Sequence, residues 1–190
     1  MTDSRTIPGI DTPTRIAATC AAGVATEAVI LLRFGFTPPL AAYLCFGAVA
    51  AVVSASDLAV RRVPNAVVLP GLAGGVALLA LGSGLDATWW SLARAGIAMV
   101  VLAGFYLALG LAFSSGMGMG MGDVKWAAVV GVYLGWLGWA AVATGTLLAF
   151  LAGSLFVIGR RFARPTDHRT PLPFAPFMAG GALVVMLAVR

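Results

Sequence analysis

Two aspartates stand where a charge needs a reason. Asp57 closes the apolar run AAYLCFGAVAAVVSAS and is followed by LAVRRVPN, while Asp123 follows GMGMGMG and opens VKWAAVVGVYLGW. An ionised carboxylate inside a membrane span costs about 2.5 kcal/mol or more at mid-bilayer, so by default it faces a polar cavity. Either aspartate alone is equally well read as an interfacial charge at a span end. Brought together at one membrane edge, the two make a chemical device. Like charges a few Å apart do not both ionise cheaply, so the pair shares a proton. One carboxyl then acts as base toward water while the other protonates or holds a carbonyl under attack. That is hydrolysis without a metal.

Other residue types narrow the field. His168 is the lone histidine and lies in the polar stretch RFARPTDHRT, where a solvated loop residue is the ordinary reading. With no HExxH and no cysteine cluster, neither a metal site nor a serine–histidine dyad is expected, and no cofactor is called for. Cys20 and Cys45 sit in apolar runs without a CxxC pairing and read as small apolar residues. Asp3, Asp11, Asp86 and Asp167 lie in polar tails or loops, where charge is solvated. Glu27 lies inside an apolar run, and it has either a direct role at a site or a structural ion pair with an arginine such as Arg33.

The glycines before Asp123 carry a second signal. Gly116, Gly118, Gly120 and Gly122 alternate with Met117, Met119 and Met121. Glycine removes side-chain bulk and permits positive φ, which lets backbone approach another chain or a substrate closely. A flexible linker would more often carry serine than methionine; methionines point to an adaptable apolar surface able to accept a peptide.

The elements that must position these residues follow from composition. The chain has 190 residues, 61% hydrophobic and 10% charged. At ~20 residues per span this allows roughly six to eight transmembrane helices and no sizeable soluble domain beside them. Apolar runs bounded by charge, Pro or Gly occur at about 16 to 32, 40 to 56, 66 to 82, 92 to 113, 124 to 137, 139 to 158 and 172 to 189. The expected fold is an all-α polytopic transmembrane bundle of about seven spans, with residues 1–15 as a polar tail lacking the apolar core of a signal peptide. Pro64, with fixed φ and no amide hydrogen, suits the start of the third helix.

The net charge of +5 is spent on topology, since the basic residues fall in loops instead of forming a stripe for nucleic acid. With a cytoplasmic N-terminus, that side gathers Arg5, Arg15, Arg61, Arg62, Lys125, Arg160, Arg161, Arg164 and Arg169, leaving Arg33, Arg94 and Arg190 opposite. The positive-inside rule favours this orientation, which sets both aspartates at the cytoplasmic face.

DLAVRRVPN together with GMGMGD-VK resembles the two aspartyl motifs of the type 4 prepilin peptidases, bacterial members of the GxGD membrane aspartyl proteases. ATEAVILLRFG resembles the family's segment around a glutamate, and PLPFAPFMAGGALV the segment opening its last span. The resemblance implies a transmembrane aspartyl peptidase domain over 16–190 in the bacterial inner membrane, with Asp57 and Asp123 as the catalytic pair and Gly120 and Gly122 in the GxGD turn. Lys125 falls where the family often has a lysine, and Pro64-Asn65 where it has Pro-Asn or Pro-Asp. The implied substrate is a type IV pilin precursor or a pilin-like secretion subunit, whose basic leader is cut beside its apolar helix. Arg61 and Arg62 serve orientation or meet an acidic residue of the substrate. No paired cysteines mark the cytoplasmic domain found in many full-length members, so a short form is expected and methylation of the product does not follow. A preflagellin- or presenilin-like GxGD protease is the alternative within the chemistry; a small proton-coupled transporter using Asp57, Asp123 and Glu27 as a relay is the alternative outside it.

Overall fold

The computed structural model describes residues 13–112, 120–163 and 173–188. These residues form α1 (Pro13–Phe34), α2 (Leu40–Val60), α3 (Asn65–Asp86), α4 (Trp89–Ala112), α5 (Met121–Leu137), α6 (Trp139–Ala163) and α7 (Ala175–Ala188). Each apolar run of the sequence corresponds to one helix, and the described residues contain no strand. In an apolar chain this is expected, because a helix satisfies its backbone hydrogen bonds within one segment.

Helices α1, α2, α3, α4 and α6 are long and apolar enough to cross a membrane. Helix α5 has 17 residues and α7 has 14. Their shortness has a packing explanation. In α5, Trp126, Ala127 and every residue from Val129 to Trp136 are buried, so the helix is covered all round by protein. It packs most extensively on α4 and also meets α3, α6 and α7. Gly131 and Gly135 make the α4 contact so close that a Cβ on Gly131 would lie 2.7 Å from the Ala98 carbonyl oxygen. Small residues one turn apart let two helix backbones meet in this way. The core is completed by rings from other helices: Phe46 of α2 stacks on Trp126 at 5.7 Å between centroids and tilts against Tyr133 at 4.8 Å.

Helices α5 and α6 are separate, broken at Gly138. Its φ of 149° is one that side chains rarely adopt. The end of α5 is capped from α4. Arg94 donates from Nε to the Gly135 carbonyl at 2.7 Å and from Nη2 to the Trp136 carbonyl at 2.6 Å. A cation at a helix C-terminus satisfies carbonyls that have no partner in their own helix. Removing it leaves them orphaned in a partly buried place. Arg94→Ala is expected to lower stability by about 2–3 kcal/mol, the scale of hydrogen bonds from a charged donor. Denaturant titration in micelles followed by tryptophan emission would measure it, and an unchanged midpoint would mean the cap contributes nothing.

Candidate functional site

Both motif aspartates lie at one end of the bundle, on helices that run in opposite directions. Asp57 sits one turn before the end of α2 and is 5% exposed. The helix stops because Arg61 turns into the left-handed region (φ 53°) and returns its N–H to the Asp57 carbonyl at 2.9 Å. Ser56 donates to the Arg62 carbonyl at 3.0 Å, which folds the Arg61–Pro64 turn back over the helix end. Pro64 then caps α3 in an extended conformation, as its missing amide hydrogen favours, and Asn65 opens the helix.

Asp123 is the third residue of α5, and its carboxylate accepts the Gly120 N–H at 3.1 Å. This is the return half of a capping box, a carboxylate satisfying an orphan donor at a helix start. Of the two properties expected of these glycines, positive φ and absence of bulk, neither Gly120 nor Gly122 uses positive φ. Gly120 is an extended N-cap where a Cβ would make only ordinary contact, the nearest atom being Asp123 Oδ2 at 3.6 Å. Gly122 is a matter of room: a Cβ there would lie 2.9 Å from the Cβ of Val63. The start of α5 therefore rests directly on the turn that follows Asp57. Gly116, Gly118, Met117 and Met119 lie outside the described residues, as do Asp167 and His168.

Asp57 and Asp123 line one cavity of about 310 Å³, together with Arg61, Arg62, Asn65 and Lys125. Lys125 donates from Nζ to Asn65 Oδ1 at 3.0 Å, tying the first turn of α5 to the first turn of α3. Every residue expected from the two motifs is thus at this end. Glu27 is elsewhere. Its carboxyl oxygens are out of solvent against α2, where a Cβ on Gly47 would lie 2.7 Å from Oε1, and among the described residues they have no hydrogen-bond partner. The ion pair with Arg33 does not form. Six residues along a helix point the two side chains to different faces, and Arg33 donates instead to the Leu187 carbonyl at 3.1 Å.

Two participants were not visible in the sequence. The first is the backbone of Ala175, the opening residue of α7, whose N–H donates to Asp57 Oδ2 at 3.0 Å. The Ala175 carbonyl in turn accepts the indole N–H of Trp126 at 3.2 Å, so one peptide segment links the helices that carry the two aspartates. The second is Tyr106 of α4, whose buried ring packs at 6.1 Å between centroids from that of Phe174, the residue before Ala175. A backbone donor leaves no signature in residue type, and a tyrosine in an apolar run reads as core.

Fold and site define a polytopic helical membrane protein that holds two aspartates from separate helices in one cavity at the end of the bundle. Residues 44–158 match the model of the type IV leader peptidase family, and the chain belongs to that family. Among curated proteins it is 34% identical over 134 residues to the prepilin leader peptidase/N-methyltransferase of Aeromonas salmonicida, covering 69% of this chain and 43% of that one. It is 31% identical over 161 residues to the protein of the same name from Burkholderia pseudomallei, covering 80% and 48%. With the Bacillus subtilis protein of that name it shares 33% over 160 residues, covering 82% and 59%. The chain thus spans about half the length of the curated relatives it matches. No solved structure matches it.

Proposed function

We propose that this protein is an aspartyl endopeptidase of the bacterial inner membrane that removes the leader from type IV prepilins or pilin-like secretion subunits at the cytoplasmic face. The observation that carries the reading is the convergence of Asp57 and Asp123 on one cavity. Each carboxylate is steadied through one oxygen by a backbone amide, from Ala175 and from Gly120, which leaves its second oxygen for water or a peptide carbonyl. One aspartate accepts a proton from the attacking water and the other donates one to the carbonyl oxygen, after which the shared proton passes to the leaving amine. The names of the relatives supply the substrate class. What those names say of methyl transfer concerns those proteins.

Purified protein incubated with a prepilin should yield a product shorter by the leader, read by intact mass, and the cut should persist in EDTA. Loss of cleavage in EDTA with return on added zinc would replace this mechanism with a metal-dependent one. Orientation is tested separately. Arg61, Arg62 and Lys125 line the cavity, and Arg160 and Arg161 lie in the last turn of α6. A cluster of positive charge at one end of the bundle favours a cytoplasmic placement for that end. In a background without Cys20 and Cys45, a cysteine replacing Phe162 should resist an impermeant thiol reagent in intact cells, while one replacing Ala87 should react. Labelling at position 162 from outside would overturn the cytoplasmic assignment.

A further inference from the structure

Trp126 is a fully buried residue at which both aspartate-bearing helices meet α7. It follows Asp123 by three positions on α5, which puts the two on one side of the helix. Its indole stacks on Phe46 of α2, with ring planes 10° apart, and donates from Nε1 to the Ala175 carbonyl at 3.2 Å. The N–H of that same Ala175 is the donor that holds Asp57 Oδ2 at 3.0 Å. Helices α2 and α5 pack little on one another, while α3 and α7 pack on both. The placement of one aspartate relative to the other therefore passes through two ties. Lys125 to Asn65 joins α5 to α3 at the exposed mouth, and Trp126 to Ala175 joins α5 to α7 in the core.

We propose that Trp126 is a positioning residue for Asp57, its indole N–H fixing the first turn of α7 so that the Ala175 amide aims at the carboxylate. The inference rests on the peptidase reading above. The carbonyl and the N–H of Ala175 flank one Cα, so pinning the carbonyl limits the two soft dihedrals that set where the N–H points. At a helix start that N–H has no acceptor in its own helix, and its direction depends on what holds the first turn in place. Packing against Phe46 would be served as well by a phenylalanine. The indole adds one donor, and that donor goes to Ala175. With Oδ2 held, the other oxygen of Asp57 keeps a constant direction for its share of the proton transfer.

The test compares three forms of the full chain in micelles, each cleaving the same prepilin: wild type, Trp126→Phe, and a chain carrying benzothienylalanine at position 126. In the last of these, sulfur replaces the indole N–H while the shape is kept. Both replacements should lower kcat about tenfold, the rate equivalent of one ordinary hydrogen bond, and leave KM within about twofold of the wild type. If Trp126→Phe does not fold, the sulfur isostere carries the comparison. Wild-type kcat in the isostere overturns the proposal, because ring shape alone would then suffice. So does a raised KM at unchanged kcat, which would make Trp126 a matter of substrate binding. A smaller folded fraction with wild-type kcat per folded molecule, read by size-exclusion profile, would mean a purely structural role and overturn it too. Failure of the wild type to cut any prepilin removes the peptidase reading itself, whereas cutting that is indifferent to the indole N–H removes the positioning role alone.

Discussion

Replacing either Asp57 or Asp123 by asparagine is expected to reduce cleavage of a prepilin by about 10³-fold or more, toward the uncatalysed background. The size follows from division of labour. Proton acceptance from water and proton donation to the carbonyl occur in one step, and an amide performs neither. The fold should survive, because the asparagine side-chain oxygen still accepts the hydrogen bonds that Ala175 and Gly120 donate to the aspartates. Both variants should therefore match the wild type in micelles by size-exclusion profile and by circular dichroism. The double variant should be no worse than the singles, since residues that act as a unit are not additive. Wild-type turnover by either single variant would take the paired carboxylates out of the mechanism.

Gly122→Val is expected to lower activity by about 10²-fold while Ala66→Val changes it little. A valine at 122 pushes a branched side chain into Val63, where even a Cβ would lie at 2.9 Å. Either α5 tilts away or the Arg61–Pro64 turn moves, and each shifts one aspartate relative to the other. A displacement of about 1 Å in reacting groups is enough for an effect of that order. Ala66 is the control because it is exposed on the first turn of α3. Gly122→Ala should fall between them. Equal rates for the two valine variants would mean that contact between α5 and the turn does not set the site.

Much of this architecture was legible because a membrane leaves few options. Apolar runs edged by charge, proline and glycine gave the positions of the seven helices among the described residues, and the Arg61–Pro64 interruption read correctly as a turn. Asp57 and Asp123 stood out because acids are scarce in such a sequence. Long-range neighbours were not legible. Gly122 was expected to offer both φ freedom and close approach; its backbone is ordinary, while the close approach is there and its partner is Val63, a residue far away in sequence. Arg94 counted toward topology only; its bonds to Gly135 and Trp136 depend on the register between α4 and α5, which no periodicity encodes. Of the two readings of Glu27, the pair with Arg33 failed on helical geometry, because nearness in sequence is not nearness around a helix axis.

The length of α5 fixes how deep the carboxylates lie. Seventeen residues rise about 25 Å, whereas the hydrocarbon layer is about 30 Å thick. With the Arg94-capped end held near one headgroup level, the opposite end stops several Å short of the other. Asp123 then lies beneath the interface, at the floor of a well whose rim is Arg61 and Arg62. A polar well sunk into hydrocarbon brings water below the level of the surrounding lipid. A peptide descending into it exchanges the low polarity of the bilayer for a small aqueous chamber without leaving the plane of the membrane. On the function proposed above, a cut at that depth would call for only a few unwound residues at the end of a substrate helix.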